Sequence, residues 1–272
     1  MDRIRKALDL AREERGGIPF EVPVDEPDLS EAKGAGLPAL IQYTKTRTFD
    51  PPAALLESNR ILSPSDSTPA AAAFRMLRTQ VLQRMEEHHW RSLAVLSPGQ
   101  HDGKTTTAIN LAISLASDHR HTVLLVDFDL RRPGVAHMLG IAPESGVDDV
   151  VRGKARVQDC LYHPDSFDRL VVLPARAPIN NSSETLAGPR CRQLVAELRN
   201  RYPDRLLVFD LPPILGADDA LAFVPLVECG LMVVAEGATK RDDLVRCMEL
   251  LRKTPMVGTV LNRATDVASA YG

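Results

Sequence analysis

The sequence predicts an α/β protein with a mainly parallel sheet and helices on both faces. Three observations carry that prediction. Short runs such as Val123–Phe128 and Leu206–Leu211 are continuously apolar, as strands covered on both faces must be. Helical patterns separate many of these runs, and such alternation builds parallel sheets. Acidic residues and a glycine-lysine turn stand at the carboxyl ends of the runs, where open α/β sheets bind ligands. The 272 residues, 44% hydrophobic and 25% charged, suit one globular domain with an appendage.

Along the chain, Met1–Arg15 has Ile4, Leu8 and Ala11 on one side of a potential helix, ringed by Arg3, Arg5, Lys6, Arg12 and Arg15. It reads as a docking helix for a partner or anionic membrane surface, or as a frayed N-terminal helix. Asp2, Asp9, Glu13 and Glu14 dilute the basic charge and favour the second. Residues 16–69 are rich in Pro, Gly, Ser and acids and read as a linker. Thr68-Pro69 is an N-cap followed by proline at the first helical position. It opens a helix over Ala70–Met85 with Phe74, Leu77, Val81 and Met85 as its apolar stripe. Strands are expected at Ser92–Leu96, Val123–Phe128, Leu170–Leu173, Leu206–Leu211, Leu231–Ala235 and Val257–Leu261. Helices are expected at Thr105–Ser117, Glu184–Arg201, Asp218–Val227 and Arg241–Lys253. The expected organisation is thus a helix and linker over 1–69, a nucleotide-binding domain over 70–262 and a tail over 263–272.

Composition excludes several classes. With 33 basic and 36 acidic residues the net charge is −3, so no basic excess points to a nucleic-acid partner. Four cysteines lie far apart without a CxxC pair, which reads as reduced thiols in a cytosolic fold. Met1–Arg15 has no apolar signal-peptide core. The most apolar window, Leu221–Ala235, contains Pro225 and Glu228 and is too short to span a bilayer. The expected location is cytoplasmic, with any membrane attachment supplied by another protein.

Ser97–Thr106 follows a strand and opens a helix, the context of a phosphate loop. Backbone N–H groups at a helix start meet an anion there. Gly99, Gln100, His101, Asp102, Gly103, Lys104, Thr105 and Thr106 are the candidate nucleotide-binding residues. Gly103 allows close backbone approach, Lys104 can reach the β/γ-phosphates, and the Thr105 hydroxyl can ligate Mg²⁺. The standard first glycine falls on Pro98, and His101 and Asp102 make the loop bulky. The competing reading is an ordinary turn with a surface lysine. Asp127-Phe128-Asp129-Leu130-Arg131 ends the next strand. Carboxylates spaced by one residue face the same side of a strand, which suits a bound cation or a salt bridge with Arg131 or Arg132. Asp210, before Leu211-Pro212-Pro213, reads as a magnesium-orienting aspartate or a loop cap.

Taken together these residues resemble the bacterial tyrosine kinases of capsule and exopolysaccharide export, a P-loop NTPase-like family. Asp127-Phe128-Asp129-Leu130-Arg131 matches its second Walker motif. Asp210-Leu211-Pro212-Pro213-Ile214-Leu215 with Asp218-Asp219-Ala220 resembles its Walker B segment, and Ser183-Glu184-Thr185-Leu186 its Ser-Glu-Leu-Leu helix start. Phe74–Thr79 resembles the arginine helix before its first strand, and Gly258–Asn262 its last core strand, where Asn262 would lie near the base. The resemblance covers about Ala70 to Asn262. It implies ATP and Mg²⁺ as cofactors and tyrosine autophosphorylation between subunits, coupled to polysaccharide chain-length control. Lys104, Asp127, Asp129 and Asp210 would be catalytic: Asp127 would help activate the acceptor hydroxyl, while Thr105, Asp129 and Asp210 would organise the metal. Arg131 would join the nucleotide-binding set. The resemblance also implies a membrane-embedded chain-length determinant as activator, and oligomerisation through the helix carrying Arg75 and Arg78, placing the protein at the inner face of the membrane.

The chain departs from that pattern at four places. The loop reads Gln100-His101-Asp102-Gly103-Lys104 where the family has Pro-Gly-Glu-Gly-Lys. Ala72 stands where the arginine helix begins with Glu. The tail offers Tyr271 alone, either the acceptor or an ordinary tail residue, with Tyr43, Tyr162 and Tyr202 as other acceptors. A transmembrane activator segment is absent from the sequence, which points to a separate partner. A nucleotide-binding scaffold with weak or no kinase activity is the next reading. An ATPase switch follows, although Gly99 occupies the position of that class's extra lysine.

Overall fold

The computed structural model describes residues 46–201 and 204–265. They belong to one compact unit. The expected N-terminal helix Met1–Arg15, the first part of the linker, Tyr43, Tyr202 and Tyr271 lie outside the described residues.

In order, the elements are β1 (Arg47–Phe49), α1 (Ala53–Ser58), α2 (Pro69–Glu87), β2 (Ser92–Leu96), α3 (Lys104–Ala116), β3 (Thr122–Asp127), α4 (Val135–Leu139) and α5 (Val147–Val151). There follow a 3-10 turn (Val157–Cys160), β4 (Tyr162–Pro164), β5 (Leu170–Leu173), α6 (Ser182–Ala187), α7 (Pro189–Arg201), β6 (Arg205–Asp210) and α8 (Asp219–Phe223). A second 3-10 turn (Val224–Leu226), β7 (Cys229–Ala235), α9 (Arg241–Leu250) and β8 (Met256–Asn262) complete the set. Among the described residues the strands form one eight-stranded sheet in the order β1-β4-β5-β3-β6-β2-β7-β8. Every pairing is parallel except β4 with β5.

Each central strand alternates its side chains between two cores, as the period of two requires. From β3, Val123 and Leu125 pack under α2, α3 and α4. Leu124 and Val126 pack on the other face with residues of α5, α6, α7 and α8. This two-sided burial is why the strands read as unbroken apolar runs. Below the acidic strand ends, Phe128, Phe209 and Phe223 form a cluster with centroids 4.6–5.8 Å apart. At α2, Thr68 Oγ1 accepts the Ala71 N–H at 3.2 Å and Pro69 fills the first turn.

The linker reading of 16–69 fails over its second half. β1 adds to the sheet beside β4, Ile61 is buried, and Asn110 of α3 binds both the Leu62 N–H (2.8 Å) and the Arg60 carbonyl (2.9 Å). A three-residue strand and a six-residue helix are too short to show a period, so only their tertiary contacts define them. The expected helix Glu184–Arg201 is divided in two, because Gly188 is extended before Pro189. Proline disfavours the helical conformation in the residue before it. The helix expected over Asp218–Val227 gives way to the 3-10 turn at Pro225. The four cysteines are buried and free.

Candidate nucleotide-binding site

The sheet order puts β6 between β2 and β3, so the ends of these three strands meet. The register makes Val95 and Asp127 neighbours of Asp210 on either side. The phosphate loop leaves β2 immediately above this row. Its start is pinned by the turn after Asp210: Ile214 N–H reaches the Ser97 carbonyl at 2.9 Å, and Leu215 N–H that of Pro98 at 3.2 Å.

Lys104, the first residue of α3, turns its ammonium into the acidic row. Nζ lies 2.5 Å from Asp210 Oδ1 and 3.6 Å from Asp129 Oδ2. The Thr105 hydroxyl donates to Asp210 Oδ2 at 2.7 Å. Burial opposes the lysine's charge, but Asp210, Asp129 and Asp127 outweigh it and hold Lys104 above its ordinary range. Burial and the neighbouring Asp210 hold Asp127 well above the usual carboxylate range. Burial likewise raises Asp129, against the pull of Lys104.

The two acids of the Asp-Phe-Asp motif do not share a strand face. β3 ends at Asp127, and Asp129 stands in the following turn. Asp127 is fully buried. Its Oδ2 accepts the Gly134 and Val135 N–H groups at 3.0 Å each, and its Oδ1 accepts the Asp129 N–H at 3.2 Å. It therefore organises the loop beneath the site, and it is Asp129 that reaches the cavity.

That cavity, of about 350 Å³, is lined by residues of the loop from Gly99 to Thr106 other than Asp102, and by Asp129 and Arg131. Asp102 is buried and turns inward, its Oδ2 accepting the Gly99 N–H at 2.8 Å and its Oδ1 the Thr239 hydroxyl at 3.0 Å. This carboxylate shapes the loop in place of the missing glycines. Asp102→Ala should remove two part-buried hydrogen bonds, at about 0.5–1.5 kcal/mol each. It should raise the KM for nucleotide several-fold, read by steady-state titration, with Asp102→Asn intermediate. His101 takes a left-handed φ of +65°, a conformation that favours glycine. Asn262 stands behind the loop, its Nδ2 donating to the Asp102 carbonyl at 2.8 Å.

Sequence reasoning did not assign four groups the contacts they make here. Arg132 donates to Gln100 Oε1 at 2.6 Å and Arg263 to the His101 carbonyl at 2.5 Å, so an arginine from each side touches the loop tip. Ser182 and Asp219 hold Arg131. The arginines could be found only through the loop they touch, which depends on the sheet order. Among the described residues no group of three or more His, Cys, Asp or Glu side chains forms a metal cage. Thr105, Asp129 and Asp210 are instead an open set of hard oxygen donors. Such a set suits Mg²⁺, which keeps waters and is completed by phosphate oxygens.

The structure agrees with the solved kinase domain of VpsO at a TM-score of 0.64 and 30% identity, over 72% of this chain and 96% of that one. The chain belongs to the bacterial tyrosine-kinase family. Tyrosine-protein kinase YwqD of Bacillus subtilis is 27% identical over 202 residues, 73% of this chain and 84% of that protein. The succinoglycan biosynthesis transport protein ExoP of Rhizobium meliloti is 30% identical over 217 residues, 77% of this chain. The chain spans only 27% of the transport protein's length. No protein-family profile matches the chain. The P-loop NTPase-like fold expected of this family is the one observed. No helix among the described residues is long and apolar enough to cross a membrane.

Proposed function

We propose that this chain is an ATP-dependent protein-tyrosine autokinase that regulates exopolysaccharide or capsule polymerisation and export. The observation that carries the reading is the convergence of Lys104, Thr105, Asp129 and Asp210 at the mouth of three adjacent strands. The loop and the start of α3 would cradle the ATP phosphates, with Lys104 moving from Asp210 to a phosphate oxygen. Mg²⁺, held by Thr105, Asp129 and Asp210, would supply charge neutralisation at the phosphates. Phosphoryl transfer asks little covalent chemistry of a protein, so positioning and electrostatics supply the rate. Asp127 serves by holding the Asp129 turn in place, a role its buried hydrogen bonds support better than contact with the acceptor hydroxyl.

Tyr271 is the candidate acceptor, with Tyr43 and Tyr202 next to test. Tyr162 is buried in β4, and its hydroxyl accepts the Glu144 N–H at 3.2 Å, so it cannot enter a neighbour's site without unfolding the edge. A membrane-embedded chain-length determinant would act as activator and hold the chain at the inner face of the membrane. Oligomers would form through α2, where Arg75 is exposed and donates to the Asp66 carbonyl, while Arg78 reaches the Ser114 carbonyl.

The test is intact mass after incubation with Mg·ATP for wild type and Tyr271→Phe. Wild type should gain one or more phosphates and Tyr271→Phe none. A gain in both moves the acceptor elsewhere. No gain in either, with the activator added and ATP bound, leaves the nucleotide-binding scaffold as the reading.

A further inference from the structure

Two segments singled out in the sequence have no chemistry of their own in the site: Ser183–Leu186 near the start of α6 and Asp218-Asp219 at the start of α8. The structure brings both onto one atom. Arg131 Nε lies 2.7 Å from Asp219 Oδ1 and 3.1 Å from Ser182 Oγ. Asp219 and Ser182 are fully buried, whereas the Arg131 side chain is 46% exposed and lines the phosphate cavity. The other oxygen of Asp219, Oδ2, is buried with no hydrogen-bond partner among the described residues. A buried carboxylate oxygen without a partner costs stability. Asp219 is thus poorly explained as a stabilising residue and better explained by what it holds. Asp218 adds only a distant and exposed contact, Oδ1 at 4.0 Å from Arg131 Nη2.

We propose that Asp219 and Ser182 are positioning residues that lock Arg131 through Nε, leaving its terminal nitrogens to read the last phosphate of the nucleotide. An arginine fork matches phosphate geometry, but only when its plane is fixed. Three separate elements meet here: the turn after β3, the start of α6 and the start of α8. Discrimination between a nucleoside triphosphate and a diphosphate is the property this clamp confers. The inference rests on the nucleotide-binding reading above and deepens it.

The experiment measures equilibrium affinities of the full chain for Mg·ADP and a non-hydrolysable Mg·ATP analogue. The variants are Arg131→Ala, Asp219→Asn, Ser182→Ala and the two double variants with Arg131→Ala. Thermal unfolding is recorded for each. Arg131→Ala should reduce the triphosphate-to-diphosphate preference about tenfold or more, the scale of a charge-assisted phosphate contact. Asp219→Asn and Ser182→Ala should each reduce it several-fold while ADP affinity stays within about twofold. Neither should change it further once Arg131 is gone, because residues acting through one group are non-additive. A preference unchanged in both single variants would overturn the proposal. So would losses that persist undiminished in the Arg131→Ala background, the mark of a merely structural role. Wild type binding neither nucleotide would sink the nucleotide reading itself, and this inference with it. Should Asp219→Asn fail to fold, Ser182→Ala carries the same comparison.

Discussion

Replacing Lys104 with Ala is expected to cut phosphate transfer by roughly 10²–10³-fold or more, the scale of losing one preorganised charge at the reacting group. It should also destabilise the folded chain. The ammonium is the cation nearest three buried or nearly buried carboxylates, and its side chain and that of Asp210 are 7% and 0% exposed. Breaking such a pair by deleting one partner typically costs about 3–5 kcal/mol, because the other charge stays buried. Asp127 and Asp129 are already held above the usual carboxylate range, and proton uptake there relieves part of the cost. The expected loss is therefore about 3 kcal/mol, measured from urea unfolding midpoints at constant slope. The double variant Lys104→Met with Asp210→Asn separates the two effects. It should regain most of the stability, since a buried pair is often replaceable by uncharged groups, and none of the transfer. If Asp210→Asn restores no stability, the cost lies outside this pair and the electrostatic account of the site is wrong.

That same pair shows how much could be read before the fold was known. The acids and the lysine are spelled out at strand ends, and the two-sided burial of β2, β3, β6 and β7 is written in their apolar runs. What the sequence does not contain is the order of strands. Asp210 meets Asp127 only because β6 inserts between β2 and β3. The spacing rule placed Asp127 and Asp129 on one strand face, but pairing stops at Asp127, and past the last ladder bond a chain is free to turn. The arginines went unread for a related reason. Arg132, Arg263 and the clamp on Arg131 are surface-type side chains whose meaning is the loop or cavity they border. β1, β4, α1, α4 and α5 are each three to six residues long, below the length at which period or propensity can show. Long-range partners, such as Asn110 for Arg60 and Leu62, hold the segment around β1 and α1 in place.

Gly103→Ala is the substitution expected to do most harm for the fewest atoms added. Gly103 has φ +88°, and a left-handed residue with a Cβ costs about 1–2 kcal/mol. A Cβ there would also fall 1.8 Å from Asn262 Nδ2. That amide group must then swing away, and with it goes the 2.8 Å bond to the Asp102 carbonyl. Asp102 in turn anchors Gly99 and Thr239, so one methyl group loosens the loop from its first glycine to its lysine. Nucleotide affinity should fall by at least about 100-fold, the consequence of misplacing a row of phosphate-binding N–H groups, and stability by about 2–3 kcal/mol. Isothermal titration with Mg·ADP and urea unfolding measure the two. The double variant Gly103→Ala with Asn262→Ala removes the collision but not the backbone strain. It should recover part of the stability lost in Gly103→Ala, and little of the affinity, because the brace on Asp102 is then missing altogether. Full recovery of affinity would show that the collision alone mattered and that the left-handed turn is tolerant. No recovery of stability would show that the backbone conformation is the whole constraint, with Asn262 free to move aside.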